Sequence, residues 1–251
     1  LCGVMEFAQA AKGVGIKPII GVEITLACGH HLTLLAENAE GYKNICKLTT
    51  RAHMDPPERP GPNGVLPALV PSLLKDHASG VICLSGCRHG EISELVLAGR
   101  LSEARRLSAQ YRDWFGANNF FLELQQNLVL DDTERNRLMA DIGSDLGIPI
   151  VATNNAHYHL RERSHLNDIL VAIQHNKSLE ETHRERRAND QFYLKPPDEM
   201  ASLFTAYPEA IENTIRIADR CDFDLTSAKV YDFPDYQVPE GHTQTRWLRK
   251  L

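Results

Sequence analysis

Side chains able to bind a metal recur in this chain at or near the ends of apolar runs. Glu23 lies late in KPIIGVEITL (residues 17–26), and His30 and His31 stand at the turn into HLTLLA (residues 31–36). Cys87 follows VICL in Leu84-Ser85-Gly86-Cys87. Glu123 falls within FFLEL (residues 120–124), and Asn154-Asn155-Ala156-His157-Tyr158-His159 follows IPIVAT (residues 148–153). Imidazole, thiolate and carboxylate donors together make a transition-metal site, since mixed N, S and O sets accept zinc, manganese or iron. Each residue also has a plainer use. Glu23 can solvate an edge strand, Cys87 can be a small buried thiol, and Glu123 can orient a neighbour. Strand alternation puts His30 and His31 on opposite faces, so only one of them can face inward with Thr33. His165 and His175 fall on or near a helix, where surface or packing roles are the expectation.

These residues need a scaffold, and hydrophobic periodicity supplies one. The five apolar runs, 17–26, 31–36, 81–84, 120–124 and 148–153, read as strands. Between them lie helical patterns. Tyr42, Ile45, Thr49 and Ala52 share a face over 41–53, and Leu101, Ala104, Leu107, Tyr111 and Trp114 share one over 101–115. Leu138, Ile142 and Leu146 mark a third helix, capped by Asp132 or Thr133 and stopped by Gly147. Leu166, Leu170 and Ile173 mark an amphipathic fourth. Alternating strands and helices predict an α/β fold with a mainly parallel sheet, whose chemistry belongs at the carboxyl ends of the strands. The stretch DPPERPGPNG (residues 55–64) is too rich in proline and glycine for regular structure and reads as a loop.

From about Leu179 the pattern changes. Thr182–Arg187 (THRERR) is a polar, basic link, followed by helices over 198–204 and 208–221, the second with Pro208 in its first turn. Residues 231–242 read as extended, and 243–251 as the start of a helix. The first residue is Leu1, and five strands fall short of a complete eight-stranded barrel, so the expectation is a piece of a longer protein.

Composition narrows the class. With 251 residues, 43% hydrophobic and 24% charged, the chain is neither disordered nor a disulfide scaffold. Its net charge of −6 argues against coating nucleic acid by charge alone. Cys2, Cys28, Cys46, Cys83, Cys87 and Cys221 are scattered, without the two-residue spacing of a zinc knuckle, and predict free thiols in a reducing cytoplasm. No apolar run approaches the roughly 20 residues needed to span a bilayer, so no membrane partner is expected.

Several ordered motifs carry a resemblance. Leu1-Cys2-Gly3-Val4-Met5-Glu6-Phe7, Gly15-Ile16-Lys17-Pro18-Ile19-Ile20-Gly21-Val22-Glu23 and His31-Leu32-Thr33-Leu34-Leu35-Ala36-Glu37-Asn38 are three of them. With Leu84-Ser85-Gly86-Cys87, Gly90-Glu91, Phe121-Leu122-Glu123-Leu124, Val151-Ala152-Thr153-Asn154 and His157-Tyr158, they resemble the PHP (polymerase and histidinol phosphatase) domain of bacterial replicative DNA polymerases. The family is that of the DNA polymerase III alpha subunit and its error-prone relatives. Ala210-Ile211-Glu212-Asn213-Thr214 and Ile217-Ala218-Asp219-Arg220-Cys221 resemble the passage toward the polymerase thumb and palm.

The resemblance implies a distorted, TIM-like (β/α)7 barrel over residues 1–178, lacking its first strands, and a helical and extended connection over 179–251. It also implies a cluster of up to three divalent metals, zinc, manganese or iron, that in full-set members hydrolyses phosphodiesters and proofreads 3′ ends. By motif position Glu23, His31, Cys87 and His157 match family ligands. The family's His-x-His and Thr-Asp-His-Gly motifs would precede Leu1, and Asn155 stands where the family has an aspartate. A neutral amide in place of an anionic ligand leaves the cations poorly neutralised, so an incomplete cluster is expected. Implied partners are DNA through the full-length polymerase, a proofreading exonuclease and the sliding clamp, in the bacterial cytoplasm. A non-catalytic scaffold that docks the exonuclease is the alternative. A free-standing phosphoesterase of histidinol-phosphatase type fits less well, given the helices after Leu179. The parent's class, replicative or error-prone, stays open.

Overall fold

The computed structural model describes residues 3–57, 60–61, 64–227 and 237–250. Leu1 and Cys2, parts of the 55–64 loop and residues 231–236 of the expected extended run lie outside them. The elements in chain order are α1 (Val4–Gly13), β1 (Gly21–Thr25), β2 (His31–Ala36), α2 (Ala39–Met54), β3 (Pro60–Gly61), β4 (Gly64–Val65), α3 (Leu73–Asp76) and β5 (Val81–Leu84). Then follow α4 (Glu91–Leu97), α5 (Leu101–Phe115), β6 (Phe120–Gln125), α6 (Asp132–Leu146), β7 (Ile150–Thr153), α7 (Ser164–His175), α8 (Pro197–Leu203), α9 (Pro208–Arg220) and α10 (Gln244–Leu248).

All five expected strands form, in one sheet of order β1-β2-β5-β6-β7. The sheet is mixed, which corrects the expectation of mainly parallel pairing. β1–β2 and β2–β5 are antiparallel, and only β5–β6 and β6–β7 are parallel. The short link between β1 and β2 permits a hairpin but no crossover helix, and this fixes the first pair as antiparallel. The proline-rich loop also departs from expectation, because β3 and β4 pair within it as a two-residue ladder. Asp132 opens α6 without capping it. Its Oδ2 accepts the backbone N–H of Asn127 (2.9 Å) and of Val129 (3.2 Å), and so folds the preceding loop.

The sheet is buried on both faces near its centre, where every residue of β5 and β6 is buried. This is why those strands read as continuous apolar runs. On one face Ile24, Leu34, Cys83, Leu122 and Ala152 pack under α2, α4, α5 and α6, in the main core with Ile45, Tyr111 and Ile142. On the other face Ile82, Leu84, Phe121 and Val151 pack with Ile217 and Cys221 of the α9 segment. That second face changes character along the strands. Beyond Phe121 it continues as Glu123 and Gln125, and beyond Val151 as Thr153. So α9 covers the apolar half and leaves a polar half at the carboxyl ends of β5–β7.

Helix α7 forms as expected, but its apolar residues do not bury. Leu166, Leu170 and Ile173 are 47%, 56% and 70% exposed, and only Ala172 of this helix is buried. Among the described residues no helix is long and apolar enough to cross a membrane.

Candidate metal centre

The polar half of the second face is where three of the expected residues meet. Glu23 projects from β1 and His31 opens β2, and Glu23 Oε1 lies 3.3 Å from His31 Nδ1. Cys87 enters from the loop after β5, and one ligand atom from each of Glu23, His31 and Cys87 falls within 4.8 Å of the other two. Gly86 makes this approach possible. Its φ is +87°, and a Cβ there would sit 2.1 Å from the carbonyl oxygen of His31. The loop is fastened to the sheet by Ser85, whose hydroxyl accepts the Glu123 backbone N–H at 2.9 Å.

Each group alters its neighbours. The sulfur of Cys87 first, and Glu23 second, push the His31 pKa up to about 9. The hydrogen bond to His31 holds the Glu23 carboxyl below its ordinary value against the opposing effect of burial. The donor set of carboxylate, imidazole and thiol matches what a divalent zinc, manganese or iron ion takes from protein.

Glu123 lies near the trio, within reach of the Glu23 charge and of the Gly86 backbone, but outside the convergent group. Its Oε1 accepts from Gln125 Nε2 at 2.7 Å and from the Thr153 hydroxyl, whereas Oε2 is buried without a hydrogen-bond partner among the described residues. Burial pushes this carboxyl's pKa up. A buried carboxyl with one oxygen lacking a side-chain partner, next to three convergent donors, is compatible with a nearby cation.

His157 and Asn155 lie outside the convergent trio. The His157 backbone N–H donates to the Phe192 carbonyl at 2.7 Å, and its ring meets the Phe192 ring edge-on at 6.0 Å. Its Nδ1 faces the Arg187 guanidinium, 3.4 Å from Nη2. A guanidinium can only donate, so Nδ1 accepts and the neutral ring carries its proton on Nε2. Burial first, and Arg187 second, lower the His157 pKa, while Glu23 pulls the other way. Asn155 has φ +48°, a left-handed conformation that asparagine tolerates, and it lines a cleft of about 220 Å3 shared with Arg88, Asn127, Arg184 and Arg187.

The remaining candidates go elsewhere. His30 turns away from His31, as alternation requires, and lies 3.7 Å from Glu94. His159 lines a shallow hollow with Leu166 and Leu170, and His165 and His175 are exposed on α7. Nothing in the sequence marks out Arg187. It sits in the charged run THRERR, where neither periodicity nor a motif distinguishes one arginine from the next.

The PHP domain profile matches residues 1–127. Across 99% of its length the chain is 39% identical to an error-prone DNA polymerase of Symbiobacterium thermophilum, of which the aligned part is 24%. It is 34% identical over 99% of its length to a DNA polymerase III subunit alpha of Treponema pallidum, covering 22% of that protein. A DNA polymerase III subunit alpha of Borreliella burgdorferi is 35% identical over the whole chain, which covers 23% of it. The chain therefore spans less than a quarter of the length of these relatives.

Proposed function

This chain belongs to the PHP domain family, and on that premise we propose that it is the PHP region of a bacterial DNA-directed DNA polymerase. The polymerase is of the alpha-subunit or error-prone type, acting in replication or translesion synthesis in the cytoplasm. In this reading the five-stranded sheet is the larger arc of a distorted seven-stranded barrel over residues 1–178. Residues 179–251 lead toward the thumb and palm, where nucleotidyl transfer takes place. DNA, a proofreading exonuclease and the sliding clamp are partners of the whole polymerase.

The observation that carries the reading at the site is the convergence of Glu23, His31 and Cys87 within 4.8 Å. These three residues would hold a divalent ion of zinc, manganese or iron. Such an ion supplies Lewis acidity toward a phosphoryl oxygen. The chain's own residues then do the rest: Glu23 orients His31, Gly86 and Ser85 set the position of Cys87, and the buried Glu123 lies close by. Phosphodiester hydrolysis at a 3′ end is the activity such a site serves.

Asn155 favours a second reading, in which the domain is a non-catalytic scaffold that steadies the polymerase and docks the exonuclease. A neutral side chain at this position removes one anion from a site that needs negative charge to gather several cations.

The two readings separate in the full-length polymerase. Metal content after dialysis against chelator and reloading, measured by elemental analysis, is expected to fall by one equivalent in Cys87→Ser. Hydrolysis of a 3′-labelled single strand by the wild type, lost in Cys87→Ser with DNA synthesis intact, supports the phosphoesterase. Hydrolysis that appears only in Asn155→Asp supports the scaffold. Unchanged metal content in Cys87→Ser defeats the site itself.

A further inference from the structure

The arginines near the candidate metal centre are not equivalent. Arg88 lies 3.4 Å from Asp132, Arg135 is 3.0 Å from the same carboxylate, and Arg186 is 3.2 Å from Asp168. Arg187, half-buried between them, is within ion-pair distance of no carboxylate among the described residues. Its contacts are the Nδ1 of His157 at 3.4 Å and the face of Phe192, 5.3 Å below the guanidinium carbon. Burial disfavours its charge, and Cys87 and Glu23 offset that only from across the site, without a direct ion pair.

The cleft that Arg187 lines is rich in donors and poor in free acceptors. Arg88, Arg184, Asn127 and Asn155 share its wall. Of its two carboxylates, Asp132 is fully engaged and Glu185 only through one oxygen. Asp132 receives Arg88, Arg135 and two backbone N–H groups, and Glu185 turns its Oε1 to Lys177 at 2.5 Å, leaving a buried Oε2 without a partner. An aspartate at position 155 would place an anion in the cleft that Arg187 lines, whereas asparagine adds no charge there.

We infer that Arg187 is an oxyanion-binding residue, which holds a phosphate group of the substrate in this cleft, beside the Glu23–His31–Cys87 cluster. The guanidinium then supplies, as a fixed charge, part of the positive field that a fuller metal cluster would provide. A planar fork with its ring-facing side fixed on Phe192 presents its remaining N–H groups to two oxygens of one phosphate. This inference rests on the phosphoesterase reading and names a residue that positions its substrate.

Inorganic phosphate tests it, titrated calorimetrically into the full chain after chelator treatment, so that no metal contributes. Arg187→Gln is expected to weaken phosphate binding by about tenfold, and Arg187→Lys to keep part of the affinity, as loss of a charge-assisted pair requires. Asn155→Asp, which leaves Arg187 in place, is expected to weaken phosphate binding by a similar factor by supplying an internal anion. Metal content of the reloaded chain is expected to be the same in wild type and Arg187→Gln. Phosphate affinity unmoved by Arg187→Gln overturns the inference, even where metal binds at Cys87 and the site reading survives. Conversely, phosphate binding that depends on Arg187 in a chain that takes up no metal keeps the anion site and defeats the phosphoesterase from which its substrate role follows.

Discussion

Glu23 and His31 pair diagonally across the β1–β2 hairpin. The register partner of Glu23 is Thr33 and that of His31 is Thr25, yet Glu23 Oε1 and His31 Nδ1 are 3.3 Å apart. Diagonal contacts of this kind are within reach of long side chains on one face of an antiparallel pair. The pairing pre-forms two of the three donors of the candidate metal centre on rigid strands, and only Cys87 depends on a loop.

This pair makes the stability of the metal-free chain pH-dependent. His31 has its pKa raised from 6.5 to about 9, so its contribution is complete below about pH 6.5 and is lost as the pH rises toward 9. Glu23 is shifted down from 4.5, so its contribution is present above that value and is lost as the pH falls through the lowered one. Urea midpoints of the chelator-treated chain are expected to fall between pH 6.5 and 9, and Cys87→Ser and Glu23→Gln should each flatten that fall. An equal fall in both variants would show that other groups govern it.

Gly86 is expected to be the least tolerant position near the site. Gly86→Ala must strain a φ of +87° and push a methyl group against a backbone carbonyl 2.1 Å away. The cost should be about 3 kcal/mol, at the upper end for an overpacked site. The same shift carries Cys87 away from His31, so competition with a chromophoric chelator should show metal affinity reduced at least about tenfold, as loss of one ligand's geometry implies. Gly99→Ala is the control. It has φ +73° with nothing within 4 Å, and should cost only about 1 kcal/mol with metal affinity unchanged.

Glu123 should show the opposite pH sign to Glu23. Burial raises its pKa above 4.5, so the folded state resists ionisation, and stability falls as the pH rises from 4.5 through the raised value. Glu123→Gln keeps an acceptor for Gln125 and Thr153 and removes that dependence. Its stability relative to wild type, read from urea melts, should improve between pH 5 and pH 8. A relative loss over that interval would mean the carboxylate is charged and compensated in the fold. Glu123→Ala strands the amide of Gln125 and the hydroxyl of Thr153, for a cost of about 2 kcal/mol.

The parts of this fold that the sequence displays are those where burial is symmetrical or periodic. β5 and β6 are buried on both faces, so VICL and FFLEL announce strands without ambiguity. α5 shows its stripe because Ala104 and Tyr111 lie on the core and Leu107 and Trp114 beside it. Helix α1 escapes notice because only Ala8 and Ala11 are buried, while Met5 and Phe7 point outward. Strand direction leaves no periodic trace, although the short turn between Thr25 and His31 is a hairpin signal. At the site, alternation separates His31 from His30, and the motif resemblance selects Glu23, His31, Cys87 and His157, of which the first three converge. Arg187 is invisible because its role depends on lacking a direct ion pair, a property of the folded neighbourhood and not of the residue's own position in the chain.

Helix α9 shows how a late segment of the chain defines a site built from earlier strands. Ile217 and Cys221 cover Ile82, Leu84, Phe121 and Val151, and Asn213 Nδ2 donates to the Ile150 carbonyl at 2.8 Å. Arg220 anchors the end of the helix, with Nε and Nη2 at 3.0 Å and 2.8 Å from Glu37 Oε1 and Nη1 at 2.6 Å from the Asn118 carbonyl. Ile217→Ala should therefore cost about 3 kcal/mol, the usual range for emptying a buried isoleucine site. Arg220→Ala leaves Glu37 partly buried and unpaired, and should cost about 2 kcal/mol. Because α9 covers only the apolar half of the face, neither variant disturbs the donors at the other end. Metal bound per folded molecule, measured well below the unfolding transition, should equal that of wild type in both. Metal loss in Ile217→Ala while the chain remains folded would show that α9 positions the site as well as covering the sheet beside it.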